Sequence, residues 1–107
     1  MGADAKGGNM SDTLEDFITV LQPKAAGRIR GTAKLIVTGE GAVMLDEAGA
    51  REGTQDEAAD VTLTASEAVF RKIMSGDQNP MMAFMSGKLK VDGNPQRALK
   101  VSAILTE

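Results

Sequence analysis

The sequence predicts an α+β domain in which one sheet has its helices gathered on one face. Apolar residues recur at helical spacing from Asp12 onward, and they alternate with polar residues from Gly31 onward. Glycine turns then separate several short segments of the same alternating kind. With 107 residues, the chain fits one domain with one core.

The first predicted element is a helix that begins at Asp12. Asp12 and Glu15 have the spacing of a capping box, with their carboxylates near the positive end of the helix. Pro23 is expected to kink or end the helix, because it cannot donate a backbone hydrogen bond and it crowds the preceding turn. The apolar stripe of this helix consists of Leu14, Phe17, Ile18, Leu21 and Ala25. Residues 1–10 are expected to be a flexible tail before a domain at residues 11–107.

Three short strands are predicted next, at residues 32–38, at 42–45 and, more weakly, near 50–52. The turns at Gly39–Gly41 and Gly49 are short, so the three strands should be antiparallel neighbours. Residues 53–59 are polar and acidic, which indicates a surface loop.

Residues 60–64 alternate again and predict a fourth strand, with Val61 and Leu63 facing one way. A helix follows at once, which either Thr64 or Ser66 can cap. Gly76 is its expected end.

Two Asn-Pro pairs mark the last two helices. Asn79-Pro80 and Asn94-Pro95 each place an asparagine cap before a proline at the first helical position. Between them, residues 88–92 alternate and predict a strand whose two lysines protect a sheet edge. The last helix has an apolar face so wide that it should be buried on more than one side.

The composition excludes several classes of function. Without His or Cys, zinc-site spacings, disulfides and Ser-His-Asp or Cys-His nucleophiles are ruled out. We predict no catalytic residue, no metal site and no cofactor. The net charge is −3 with both signs mixed, and three Phe are the only aromatic residues, so no nucleic acid is expected as a partner.

Two charged groups leave alternatives open. The acids between Asp46 and Asp60 could bind a cation, but they lack calcium-loop spacing, and a solvated face is the favoured interpretation. Arg28, Arg30 and Lys34 could attract a lipid headgroup or an anionic membrane surface, although a solubilising surface is the simpler interpretation.

The second half of the chain carries a long motif. It consists of Asp60-Val-Thr-Leu-Thr64, a helix that ends at Gly76, and then Asn79-Pro-Met-Met-Ala-Phe-Met-Ser-Gly-Lys-Leu-Lys-Val-Asp-Gly-Asn94. This pattern resembles the sterol-carrier-protein-2 (SCP2) lipid-binding domain, and the helix over residues 98–105 extends the match. The first half matches in its order of elements, but Val43-Met44-Leu45 lacks the aromatic residue that the family often has in the second strand.

The resemblance implies a twisted five-stranded, mostly antiparallel sheet with helices on one face that enclose a hydrophobic tunnel. It also implies non-catalytic binding, and transfer, of a sterol, fatty acid, fatty acyl-CoA or phospholipid. The alternative is an accessory or dimerisation module that presents a lipid-soluble intermediate to a partner enzyme, or one whose cavity has closed.

The candidate tunnel wall comes from the helices. It consists of Phe17, Ile18, Leu21, Phe70, Ile73, Met74, Met81, Phe84, Met85, Leu99 and Ile104. The methionines can repack around varied ligands, but they can equally fill an irregular core. The expected partner is a lipid or another long apolar molecule, with transient membrane-surface contact. We expect a monomer or weak homodimer. A cytoplasmic location is expected because the chain has no Cys and no apolar run typical of a signal peptide.

Overall fold

The computed structural model describes residues 12–107, so the predicted tail at residues 1–10 lies outside the described residues. Within that range the chain forms four helices and five strands. In chain order they are α1 (Asp12–Ala25), β1 (Ala33–Val37), β2 (Gly41–Asp46), β3 (Gly49–Gly53), β4 (Val61–Ala65), α2 (Glu67–Ser75), α3 (Pro80–Met85), β5 (Lys90–Gly93) and α4 (Pro95–Leu105). No helix in this part of the chain is long and apolar enough to cross a bilayer.

The five strands form one open sheet in the order β3-β2-β1-β4-β5. The pairs β1–β2, β2–β3 and β4–β5 are antiparallel, and the central pair β1–β4 is parallel. The predicted α+β class and the mostly antiparallel sheet are therefore confirmed. The lysine-containing strand β5 lies at an edge, as its sequence indicated.

One face of the sheet carries the core. Leu35 on β1 pairs with Val43 on one side and Leu63 on the other, and all three are fully buried. Apolar side chains of the helices complete the same cluster, including Phe17 and Phe70. Fully burying one side chain of this size stabilises the fold by about 1.5–3 kcal/mol, so this face holds the helices in place.

Part of the outer face of the sheet is covered as well, and here the sequence-based interpretation of Lys34 is wrong. Lys34 does not belong to an exposed basic surface, because it is only 8% exposed. Its Nζ donates to the carbonyls of Gln55 and Glu57 at 2.5 and 2.7 Å. The loop after β3 thus lies over this face, where an ion pair between Arg51 and Glu57 at 2.5 Å also anchors it.

α1 ends at Ala25, the last residue of the predicted apolar stripe, so Pro23 lies inside the helix and does not end it. The start of β5 differs from the prediction. β5 starts at Lys90 rather than at residue 88, because the N–H groups of Lys88 and Leu89 both donate to the Ala83 carbonyl. These two residues are held by the end of α3 and cannot pair with β4.

We predict that Lys34→Met lowers the free energy of unfolding by about 1.5–3 kcal/mol, the usual contribution of hydrogen bonds from a charged donor. The methionine retains the apolar stem but leaves two loop carbonyls without their donor. Urea unfolding monitored by circular dichroism measures the change. Lys90→Met is the matched control, because Lys90 lies on the same face and is exposed. It should change stability by no more than about 0.5 kcal/mol, and equal losses in the two variants would contradict the role assigned to Lys34.

Candidate functional site

Most of the candidate wall residues lie in the core or against it. Phe17, Leu21, Phe70, Ile73 and Ile104 are buried, and Ile18 and Met74 pack against the same cluster. The rings of Phe17 and Phe70 meet edge to face, with centroids 6.0 Å apart. Six of these seven side chains, all but Ile104, line neither of the two pockets described below.

Three other candidates come together at the surface. Met81, Phe84 and Leu99 are about half exposed and line one groove between α3 and α4. Met85 lies outside this groove and is 77% exposed. Met82 also lies outside the groove and is 65% exposed. The structure therefore separates the predicted wall into a buried group, a groove group and a surface methionine.

An asparagine cap and a proline begin α3. The Oδ1 of Asn79 accepts hydrogen bonds from the N–H groups of Met81 and Met82, at 2.8 and 3.2 Å. Such a cap contributes about 1 kcal/mol to a helix. Ala83 is the one α3 side chain that is buried. The remaining apolar side chains of this short helix are therefore presented outward.

α4 forms the opposite wall in the same way. Asn94 caps it by accepting from the N–H groups of Gln96 and Arg97. Its groove-facing side chains are mostly small, and Leu89 and Val91 supply the floor from the β5 segment. The α4 residues in the groove lining are Pro95, Ala98, Leu99, Ser102 and Ala103, and Thr106 follows the end of the helix.

The resulting groove is apolar and has a volume of about 370 Å³, toward the lower end of the range for small-molecule sites. Two of its polar side chains are engaged locally: Asn79 caps α3, and the Thr106 hydroxyl donates to the Ala103 carbonyl at 2.9 Å. A hydrocarbon chain placed here would leave these polar groups satisfied.

A second, larger pocket of about 610 Å³ lies on the other side of α4. Its apolar floor includes Ile104, the one candidate wall residue that it contains, together with Ile29, Val61 and Val101. Its rim carries Arg28, Arg30, Arg97, Lys100 and Glu47. The sequence analysis did not predict this pocket. The signal in the sequence was Gly27-Arg-Ile-Arg-Gly31, in which two glycines flank two arginines, and both glycines have positive φ in the structure.

The chain was compared with known proteins. Residues 13–106 match the model of the SCP-2 sterol transfer family. The chain belongs to this family. The SCP-2 relatives include hydroxysteroid dehydrogenase-like protein 2 of Xenopus tropicalis, which is 33% identical over 102 residues and 90% of this chain. Human sterol carrier protein 2 is 44% identical over 46 residues, which is 43% of this chain and 8% of that protein.

This SCP-2 chain spans 24% of the length of the Xenopus tropicalis relative. Solved SCP-2 structures share its fold. Sterol carrier protein-2 from Aedes aegypti in complex with palmitate gives a TM-score of 0.71 at 19% identity, covering 91% of this chain and 97% of that one. The sterol carrier protein domain 2 of Helicoverpa armigera gives 0.69 at 22% identity, covering 92% of each chain.

An ion pair between Arg28 and Glu107 lies at the edge of the second pocket of this SCP-2 domain. The Arg28 guanidinium donates to both carboxylate oxygens of Glu107, and Lys24 donates to the Glu107 backbone oxygen. The hydrogen bond from Arg28, followed by the charges of Arg28 and Lys24, lowers the pKa of Glu107, against the opposing effect of desolvation.

We predict that the Glu107 carboxylate titrates below the ordinary glutamate range and that Arg28→Ala raises its pKa toward that range. Because the folded-state pKa is depressed, the stabilisation from this pair is present above the unfolded-state pKa and is lost as the pH falls through the folded-state value. The carbon chemical shift of the carboxyl group, followed by NMR against pH, measures both pKa values. An unchanged pKa in Arg28→Ala would show that the pair does not form in solution.

Proposed function

We propose that this domain binds a hydrophobic ligand without catalysis and holds its apolar tail in the groove between α3 and α4. The observation that supports this most directly is the groove itself. Its lining is apolar, and half-exposed Met81, Phe84 and Leu99 meet there over the buried floor at Leu89. Large apolar side chains grouped at a surface commonly mark a binding site.

Burial of the apolar tail alone can provide micromolar affinity at such a site. Each buried methylene contributes about 0.8 kcal/mol, so a fully covered tail of roughly 16 carbons would gain about 12 kcal/mol before costs. Association and ordering remove at least several kcal/mol. A net free energy near −8 kcal/mol corresponds to a Kd of about 1 μM, and no polar contact is needed to reach it.

Full cover of a long tail requires one wall to move, and we propose that α3 is the wall that moves. Only Ala83 anchors this helix through burial, and the helix is six residues long. Segments with few buried apolar contacts open at low free-energy cost. Outward movement of α3 would extend the groove into the tunnel that the family resemblance implies. Candidates that lie in the core or against it, such as Ile73 and Met74, would contact ligand only in that extended state.

We predict that Ala103→Trp weakens binding of a fluorescent long-chain fatty acid at least roughly tenfold, because the indole would occupy the groove and displace about two methylenes of ligand. Ala103 is exposed and faces the groove, so the substitution leaves the core intact. Ala68→Trp on α2 is the matched control, because Ala68 is also exposed on a helix but lies outside the groove. Fluorescence titration gives both affinities.

Equal binding by wild type and Ala103→Trp would contradict the groove as the site. Methyl NMR on the wild-type protein locates the tail independently. Ligand-induced shifts confined to Met81 and Leu99 would indicate a tail in the surface groove, and shifts that reach Ile73 and Leu21 would indicate entry between sheet and helices. Extraction of the purified protein and mass spectrometry would identify any copurifying lipid class.

A second candidate function is presentation of a lipid-soluble intermediate to an enzyme. It is favoured by the length of the relatives, since this domain corresponds to only 24% of a protein named hydroxysteroid dehydrogenase-like protein 2. Spontaneous transfer of bound lipid to acceptor vesicles would favour a carrier. Retention of the lipid until a partner enzyme is added would favour presentation. A protein that contains no lipid and takes up none would indicate a closed interaction domain.

Membrane contact belongs to the same proposal. Met82 and Met85 extend from α3 outside the groove, and exposed Lys88 follows them. Apolar side chains beside a cation are suited to the interface of an anionic bilayer. The cytoplasmic location and the monomeric or weakly dimeric state stay predictions from the sequence.

We predict that the double variant Met82→Asp/Met85→Asp reduces cosedimentation with phosphatidylcholine–phosphatidylserine vesicles by roughly tenfold. Each methionine withdrawn from the interface removes on the order of 1 kcal/mol of binding free energy. Val20→Asp is the control, because Val20 is 44% exposed and lies on α1. A similar reduction in the control would mean that added negative charge, rather than loss of the methionines, explains the effect.

A further inference from the structure

The pocket on the other side of α4 takes no part in the function proposed above. Its volume of about 610 Å³ exceeds that of the apolar groove. The loop between α1 and β1 forms one wall, and the side of α4 that carries Gln96, Arg97 and Lys100 forms the other. α4 separates this pocket from the groove, since alternate faces of the helix line the two spaces.

The rim of the pocket is cationic. It carries four basic side chains and one carboxylate, that of Glu47. Arg97 donates to the Arg30 carbonyl, which fixes its guanidinium beside the loop. Within residues 12–107, no hydrogen bond or ion pair engages the side chains of Arg30 and Lys100. Arg28 is paired with Glu107. The pocket thus presents two cations that are free to bind an anion, next to two that are already positioned.

The loop that carries the arginines has a constrained shape. Gly27 and Gly31 flank it with φ values of 74° and 72°, which residues other than glycine rarely adopt. The N–H of Gly27 donates to the Glu47 carbonyl at 2.8 Å. Asp60 is the other acid near this loop, and its carboxylate accepts from the N–H of Thr32 at 3.0 Å. It is therefore engaged by the backbone and does not line the pocket.

These features select the chemistry of the ligand. Several converging arginine and lysine donors match a phosphate better than a single carboxylate, because a phosphate offers more acceptor oxygens and a higher charge. The apolar floor at Ile29, Val61 and Val101 would be left uncovered by inorganic phosphate alone. We propose that this pocket is a second ligand site, which binds the phosphate group of an organic phosphate. The proposal does not depend on the groove.

Isothermal titration of the full chain with two phosphate probes tests the proposal. ADP represents a water-soluble organic phosphate, and dihexanoyl phosphatidic acid below its micelle concentration represents a lipid headgroup. Adenosine and dihexanoylglycerol are the phosphate-free counterparts. We expect at least one phosphate probe to bind with a Kd below the millimolar range, more weakly at higher salt. Its phosphate-free counterpart should not bind measurably. Tighter binding of ADP would assign the pocket to soluble phosphates, and tighter binding of phosphatidic acid would assign it to a lipid headgroup.

The double variant Arg30→Ala/Lys100→Ala should weaken binding of the phosphate probe at least roughly tenfold, because it removes two charged donors. The matched control is Lys72→Ala/Lys90→Ala, which removes the same charge at two exposed lysines outside the pocket and should change the affinity by less than about twofold. Arg30→Lys should bind with intermediate affinity, because it keeps the charge but loses the planar donor fork.

Three results would overturn the proposal. One is the absence of binding by either phosphate probe at millimolar concentration. Another is equal weakening by the pocket variant and the control, which would assign the effect to net charge. The third is loss of phosphate binding in Ala103→Trp, which would place the probe in the groove. Because Ala103→Trp alters only the groove, the two sites can fail separately.

Discussion

The parallel pairing of β1 with β4 constrains the path of the rest of the chain. Two parallel neighbours cannot be joined by a tight turn, because the chain must return to the same end of the sheet before the second strand begins. Here β2 and β3 form a hairpin at one edge, and the loop after β3 returns the chain over the outer face. Lys34, on the central strand, binds two carbonyls of that returning loop. A buried cation is tolerated there because two of its three N–H donors bind these carbonyls.

One helix lines both pockets. β5 lies at the edge of the sheet next to β4, and α4, which follows β5, contributes residues to the groove and to the second pocket. α4 packs against β4 and β5 through its buried stripe, and the two flanks of the helix beside this stripe line the two pockets. Small side chains on one flank leave room for the apolar groove, and basic side chains on the other meet the arginine loop. The position of one helix therefore gives rise to two pockets of opposite character.

The elements of the fold could be predicted because each has a local signal. The Asn-Pro pairs before α3 and α4, the cap at Ser66 and the stop at Gly76 all act within one turn of helix. The environment of Lys34 could not be predicted, since it depends on carbonyls 21 and 23 residues further along the chain. Periodicity marked it as a residue on the solvent side of a strand.

The candidate site was less predictable for a related reason. A core and a lipid site use the same apolar side chains, so the sequence alone cannot distinguish Phe70 in the core from Phe84 at the groove. The cationic pocket was even harder to predict from the sequence, because its arginines come from segments that are far apart in the chain. Arg97 contacts the carbonyl of Arg30 across 67 residues of chain. Only the packing of α4 beside the loop brings these charges together.

Because α4 is a wall shared by both pockets, its position sets the room available in each. A ligand that displaced α4 to widen one pocket would narrow the other. Coupling of this kind is reciprocal: whatever factor one occupant imposes on the affinity of the second, the second imposes on the first. If α4 shifted in response to a charged molecule on one flank, the room for an apolar molecule on the other flank would change with it.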